Sequence, residues 1–427
     1  MNFNVNRQLE QLTPETLIVG VDIAKNKHVA RVVDDRGKEL AKPIAFANSQ
    51  EGFQQLLFWM KSTQIQQAKE QVILGMEPTG HYWLNLAHFM KSRGIQVVIV
   101  NPMHVKRTKE LDDNSPTKND VKDAHVIARL IQGARYSVPH FPEGIHAELR
   151  VLMNLRDRVN QEFLRVQGRI TNWLDRYFPE FVTVFKDWQG KAAMLSLQHF
   201  PLPVDVQCLG AERIVAVWKL EVKRAVGLGR AEKLVRAAQE TVGLTIGSEM
   251  ARFEIQMLLE QHHLYQEQLE QVGQKVEDLL HQIPGTKEMQ SIPGVGLLTV
   301  AGFLAEVGDL QRYQHPDQIR KLAGLNLKEY SSGKHKGKTQ ITKRGRPRLR
   351  ALLFRCVMPL VVKNSEFKAF HRHFTTRSRN PLSKKQSMVA LCCKLIRLLF
   401  VLGNTQTSYD PAKLQRALQR STLQIVA

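Results

Sequence analysis

Residues 17–23 read LIVGVDI, an apolar run too short for a core helix, with the carboxylate of Asp22 close to its end. It reads as a buried strand, because a strand covered on both faces shows no polar alternation. HVARVVD at 28–34 and PIAF at 43–46, separated by the turn signal Asp35-Arg36-Gly37, continue as two further strands of a meander. Ser49 can cap a helix that begins EGFQQLLFWM, and QVILGMEP at 71–78 is a fourth strand ending at Glu77. A helix over about 80–91 leads to a fifth strand, IQVVIVNP at 95–102. After a polar loop, TKNDVKDAHVIARLI at 117–131 predicts a helix with Asp120 and Asp123 in its first turns. Three sequential strands followed by helix and strand in alternation make a mixed α/β layout of about 120 residues. That order is closer to a ribonuclease H sheet than to a doubly wound nucleotide fold.

The acids at these positions suggest chemistry. Asp22 and Glu77 end apolar strands where a sheet opens to solvent, and Asp120 and Asp123, three apart, share one helix face. If that helix crosses the strand ends, four carboxylates converge, and mutual repulsion then calls for cations. Mg2+ suits hard oxygen donors and can polarise a phosphodiester. Each acid alone also has a plain reading, as a turn residue, a strand end before Pro78 or a helix cap. His81, His104 and His125 lack metal-motif spacing and read as solvent or helix-face residues.

A chain of 427 residues and 48.8 kDa exceeds what one core usually organises, so at least two domains are expected. Its composition, 43% hydrophobic and 24% charged, is that of a folded soluble protein. MNFNVNRQLEQLTPE at the N-terminus lacks an export pattern, and no run approaches the roughly 18 apolar residues of a membrane span. A cytoplasmic location and no membrane partner are therefore expected. Cys208, Cys356, Cys392 and Cys393 form neither a disulfide scaffold nor a zinc cluster, and the adjacent pair in MVALCCKLIRLLF reads as buried thiols.

The net charge of +21 is uneven: residues 311–400 hold 22 Lys and Arg against three acids, a net +19. A field concentrated in this way attracts polyanions, of which nucleic acid is the usual one. Lys334, Lys336, Lys338, Lys343, Arg344, Arg346, Arg348 and Arg350 follow one another without an acid, which predicts contact with phosphate backbone. Upstream, Ile292-Pro293-Gly294-Val295-Gly296 signals a tight turn between helices whose exposed amides can meet a phosphate. Ser331-Ser332-Gly333 precedes the basic run, and a cationic field favours a serine alkoxide. It is equally an ordinary loop composition.

Two long apolar stripes occupy the middle of the chain. One comprises Leu152, Leu155, Val159, Phe163, Val166, Ile170 and Trp173; the other runs from Ile255 through Leu258, His262, Tyr265, Leu269, Val272, Val276 and Leu279 to Ile283. They suit an antiparallel coiled-coil arm or a dimer seam, with His262 a polar seam position. Between them residues 179–247 are broken by Pro179, Pro201 and Pro203, and AERIVAVWKLEVKRAVGLGRAEKLVRAAQET at 211–241 predicts one or two further helices; the segment after Thr405 reads as a partly disordered polar tail.

VGVDIAK, GMEPTGHYW and TKNDVKDAHVIARL resemble the three acidic motifs of the DEDD transposase family, insertion-sequence recombinases guided by a bridge RNA. SIPGVGLLTV and AGLNLKEYSSGKHKGKTQITKRGRPRLRALL resemble that family's C-terminal domain. The resemblance implies a RuvC-like ribonuclease H domain at 1–145, a helical coiled-coil arm with an inserted region at 146–284, a mainly α-helical transposase domain at 285–405 and a polar tail at 406–427. It further implies Mg2+ at Asp22, Glu77, Asp120 and Asp123, and a serine nucleophile at Ser332, with Ser331 the competitor. Donor and target double-stranded DNA, a structured noncoding bridge RNA and a homo-oligomer, a dimer assembling to a tetramer, are the implied partners. The alternatives are a site-specific DNA invertase, a RuvC-like Holliday-junction nuclease that uses the acids alone, and a nonenzymatic nucleic-acid binder.

Overall fold

The structure, a computed structural model, describes residues 5–112, 120–224, 226–328, 331–332, 335–336 and 339–416. The chain divides into two compact units, Met1–Phe141 and Pro142–Ala427.

The first unit contains α1 (Val5–Leu9), β1 (Thr16–Asp22), β2 (Lys27–Val33), β3 (Ile44–Ala47), α2 (Gln50–Gln66), β4 (Gln71–Met76) and α3 (Trp83–Lys91). β5 (Gln96–Val100), α4 (Pro102–Asp112), α5 (Asp120–Gln132) and β6 (Tyr136–Ser137) complete it. Its sheet has the order β3-β2-β1-β4-β5-β6. β2 is antiparallel to β1 and β3, β4 is parallel to β1 and β5, and β6 returns antiparallel to β5. This is ribonuclease H-like, RuvC-like topology, as expected from the strand order.

β1 is buried on both faces. Leu17, Val19 and Val21 pack with Phe53, Leu56 and Met60 of α2 and Leu86 and Met90 of α3, whereas Ile18 packs with Val126, Ile127 and Leu130 of α5. Ser49 caps α2 as expected, its Oγ accepting from the Gly52 amide at 3.2 Å. Two elements differ from expectation. The expected polar loop after β5 begins with α4, where Val105 is buried, and β6 is too short to leave a sequence signal.

The second unit is largely helical. α6 (Gly144–Tyr177) leads to α7 (Phe181–Val184), α8 (Lys191–His199), α9 (Pro203–Glu221), α10 (Leu228–Gln239) and α11 (Ser248–His281). Then follow α12 (Thr286–Gln290), α13 (Leu297–Val307), α14 (Pro316–Leu322), β7 (Leu327–Lys328), β8 (Ser331–Ser332), β9 (His335–Lys336) and β10 (Gln340–Ile341). α15 (Pro347–Lys363), α16 (Ser365–Thr376) and α17 (Lys384–Thr405) end the assigned elements. α6 and α11 pack on each other within the chain.

Their contact is not an uninterrupted seam. Val166, Ile170 and Trp173 join Ile255 and Leu258 in one core, Leu149 and Met153 join Val276 and Leu280 in another, and between these ends Phe163, Tyr265 and Leu269 are only half-buried. Leu155, expected on the stripe, is exposed. Val276 is fully buried in this chain's own core, so a glutamate there would open that core rather than probe assembly. The exposed Met250, Phe253, Met257 and Leu264 of α11 are the positions at which assembly can be probed.

The stretch 211–241 holds the end of α9 and all of α10, the two helices its sequence suggested, while α7 and α8, which no sequence signal singled out, precede it among the described residues; all four surround Phe181, Trp218 and Leu234. Trp218 Nε1 donates to Ser196 Oγ at 2.9 Å, and Trp173 Nε1 donates to the Ala251 carbonyl at 2.9 Å. The beginning of the expected tail is docked: Leu414 is buried, and the Tyr409 amide donates to Ser291 Oγ at 2.8 Å. α17 is long and apolar enough to cross a membrane by composition, with a mean hydropathy of 1.7. Its Leu391, Leu395, Ile396 and Leu399 are buried in the protein core. Cys392 is buried beside them and Cys393 half-buried, as the apolar run suggested.

His262 sits between the rings of Phe163 and Trp188, at centroid distances of 4.7 and 5.3 Å, and neither ring nitrogen has a hydrogen-bond partner among the described residues. Burial, reinforced by neighbouring His263, holds its pKa below the ordinary 6.5. The unfolded chain therefore takes up a proton below about pH 6.5 that the folded chain refuses. Its stability contribution is complete above that pH and declines as pH falls toward the folded value. Urea unfolding at pH 7.5 and 5.5 should show a loss on acidification that His262→Phe reduces; an equal loss in both proteins would remove His262 as its source.

Candidate active site

Alternation along the strands sets where the acids emerge. Ile18 and Gly20 face α5, so Asp22, two residues beyond Gly20, continues the same face of β1. On β4, Ile73 and Gly75 face α5, and Glu77 follows in the same parity just past the strand. Val21 pairs with Met76 in the parallel ladder, so the next residues on each strand, Asp22 and Glu77, leave the sheet side by side. Glu77 is half-buried, and its Oε1 accepts from Thr79 Oγ1 at 2.8 Å.

Two glycines seat α5 over this edge. A Cβ on Gly20 would stand 2.2 Å from the Ala124 carbonyl oxygen, and one on Gly75 would stand 2.3 Å from Ile131 Cδ1. Helix backbone thus rests directly on β1 beside Asp123. Gly20→Ala should cost about 1–3 kcal/mol, because the obstructing atom is backbone and cannot rotate away. Thermal unfolding of the variant checks this, and an unchanged melting temperature would contradict so close a contact.

Asp123 is buried, and its Oδ2 meets Lys109 Nζ of α4 at 2.5 Å. No sequence signal singled out Lys109, a cation in a polar segment. Asp120 opens α5, but its side chain lies outside the described residues. The structure therefore brings Asp22 and Glu77 side by side at the ends of β1 and β4 and sets the Asp123 end of α5 beside β1. Among the described residues no three His, Cys, Asp or Glu side chains form a metal-holding group. The donor chemistry suits Mg2+ in that every candidate ligand is a hard carboxylate oxygen, but Lys109 occupies Asp123 Oδ2 and would have to yield that oxygen to a metal. His81 and His104 are exposed and His125 stands 3.5 Å from Glu39, which agrees with solvent and helix-face roles.

In the basic region, β8 pairs antiparallel with β9, with Ser331 opposite Lys336 and Ser332 opposite His335. Gly333, Lys334 and Lys338, and the side chains of Ser331, Ser332, His335 and Lys336, lie outside the described residues. β7 and β10 pair below this hairpin, and the Lys343 amide donates to the Gly324 carbonyl at 3.0 Å. Three of the eight expected phosphate-binding cations are engaged within the protein. Arg346 donates to the Glu306 carbonyl, Arg348 to Asn154 Oδ1, and Arg350 to the Ala323 carbonyl at 2.9 Å. Burial raises the Glu306 carboxyl pKa against the opposing pull of Arg150 and Arg348. These arginines tie the start of α15 to α6 and α13, whereas Lys343 and Arg344 are exposed. The Ile292–Gly296 segment is the expected turn between α12 and α13; Gly294 has φ 94°, and Asn364 Nδ2 donates to the Pro293 carbonyl at 3.2 Å.

Sequence comparison agrees with this division of features. A DEDD transposase model of the IS110 type matches residues 19–179, and the model of the transposase IS116/IS110/IS902 family matches residues 286–372. These matches place the chain in the IS110/IS116 DEDD transposase family. The 44.8 kDa protein of insertion element IS116 from Streptomyces clavuligerus is 22% identical over 92% of this chain and 96% of its own length. A pilin gene-inverting protein from Moraxella bovis is 22% identical over 92% of this chain and 97% of its own. The transposase for element IS1111A from Coxiella burnetii is 25% identical over 74% of this chain and 73% of its own. Membership in this transposase family supports enzymatic activity and makes DNA the substrate class.

Proposed function

We propose that this transposase cuts and rejoins DNA through a phosphoserine at Ser332, assisted by Mg2+ at Asp22, Glu77, Asp120 and Asp123 and directed to its sites by a structured noncoding RNA. The reading is supported by one conjunction: an acidic strand edge and a cationic Ser-Ser-Gly segment in the same chain, in family order. The serine oxygen forms a bond to the scissile phosphorus as the bond to a deoxyribose oxygen breaks, and the hydroxyl proton passes to that leaving oxygen. Attack by a partner strand's hydroxyl reverses the step and restores the serine. Bound at the carboxylates, Mg2+ would supply charge stabilisation for the leaving oxygen. The exposed stripe on α11 suits a homo-oligomer, a dimer assembling to a tetramer, that brings acids and serine of different subunits together.

Lys343 and Arg344 hold phosphates in this reading, and the tied arginines shape the segment. Replacing Lys343 and Arg344 together by Gln should weaken duplex binding and lower the salt slope of log K by about 2. An unchanged slope would assign them to solvent. The whole reading is tested by mixing the protein, Mg2+ and transcripts of the noncoding flank with donor and target DNAs and sequencing the junctions. Junctions that need the transcript are expected; junctions formed equally without it would remove RNA guidance. Inversion is the second reading, favoured by the similarity to the Moraxella protein, and junction orientation separates it from transposition.

A further inference from the structure

On the α2–α3 face of the first unit, a cavity of about 740 Å³ opens between the start of α2 and the outer side of α3. Phe53, Phe89 and Phe141 give it aromatic walls, Asn48 and Asn85 bring amides, and none of its eleven lining residues is acidic. Cations are laid on two of those rings: the Arg93 guanidinium lies 3.4 Å from the Phe89 centroid and Lys91 Nζ 5.8 Å from that of Phe141. Arg93 is held in place, its Nη1 donating to the Phe89 carbonyl at 3.1 Å and to Ser92 Oγ at 3.2 Å. Phe53 is backed by the buried His28 ring, stacked at 6.2 Å. Ser49 and Gln50 bring the N-terminus of α2, with its positive field, to the same opening.

Phe53 belongs to the core, whereas Phe89 and Phe141 are only half-buried and the exposed Arg93 guanidinium lies over the Phe89 ring as an outward-facing plane. Aromatic and guanidinium planes beside amides, with positive charge and no acid, are what an unpaired nucleotide requires: stacking for the base, hydrogen bonds for its edge and cations for its phosphate. We propose that this cavity receives one unpaired nucleotide of a nucleic-acid strand, its base stacked on the Phe89–Arg93 platform and its edge toward Asn48 and Asn85. The proposal rests on the nucleic-acid reading above and deepens it, since a duplex keeps its bases paired and cannot enter.

The test uses the full chain and short fluorescein-labelled single strands carrying one 5-iodouracil, in ribose and deoxyribose form, beside a DNA duplex. Phe89→Leu, which keeps bulk but loses the ring plane, and Arg93→Gln, at an exposed position, should each weaken single-strand binding about tenfold. Duplex binding should stay within about twofold, and Phe58→Leu, an exposed aromatic on α2, should change neither. Photocrosslinks should map to peptides containing residues 48–53 or 83–93. The arm with the larger loss names the source, RNA or a displaced DNA strand. Unchanged single-strand affinity, equal losses on duplex and single strand, or crosslinks confined elsewhere would overturn the proposal while leaving the recombinase reading intact. A wild-type chain that binds neither form would end both.

Discussion

Ser332→Ala is expected to lower recombination by roughly a thousandfold or more and to remove the protein-DNA adduct, while nucleic-acid affinity stays nearly unchanged. The separation follows from what is deleted: one hydroxyl and no charge, in a domain where, on the proposed reading, phosphates are held by cations such as Lys343 and Arg344. Water can hydrolyse a phosphodiester but cannot leave a linked peptide. Ser331→Ala, one residue earlier on β8, should retain the adduct. Trapped products digested for peptide mass spectrometry check both variants. A phosphopeptide mapping to Ser331, or a full adduct yield from the Ser332→Ala protein, would reassign the nucleophile.

Asp22→Asn and Glu77→Gln should each abolish strand cleavage and leave the fold intact. The two acids leave adjacent strands side by side in register, so if their carboxylates share one site, neutralising one relieves repulsion. Asp123→Asn should abolish cleavage too, but with a stability loss of about 1–3 kcal/mol, because it breaks a buried pair with Lys109. Denaturation and cleavage measured on all three variants distinguish the roles. Cleavage retained by the Asp22 and Glu77 variants would make the edge structural.

Most of the first unit was legible because β1, β2, β4 and β5 are short runs rich in Val, Ile and Leu bounded by turn residues, and strand parity carries Gly20 to Asp22 and Gly75 to Glu77 on one face. α4 was not, since PMHVKRTKELD carries no apolar stripe, and among its described side chains only Val105 is a buried apolar one. Asp22 and Glu77 could be placed from the strand ends, whereas their adjacency needed the register, which is a pairing between distant segments. Lys109 was invisible for the same reason. In the basic region composition identified eight cations but not which of them are occupied. The bonds that engage Arg346 and Arg348 reach Glu306 and Asn154, residues far away in sequence. The long helices were correctly placed, yet periodicity could not tell a continuous seam from two cores joined by a thinner middle.

The parallel pairing of Val21 with Met76 has a consequence for how this edge can diverge. Neighbouring strands stand about 4.8 Å apart because that is the backbone spacing at which peptide N–H and C=O groups meet at hydrogen-bond distance, whatever side chains they carry. The separation of Asp22 and Glu77 at their backbones is therefore a property of the polypeptide itself, and no point substitution resets it. Glycine at 20 and 75 does the opposite for the third element, removing side-chain thickness so that α5 settles to a height fixed by backbone contact. On the proposed reading, drift elsewhere in the chain would alter which DNA is brought here, while the backbone spacing that sets the two acids apart would stay the same.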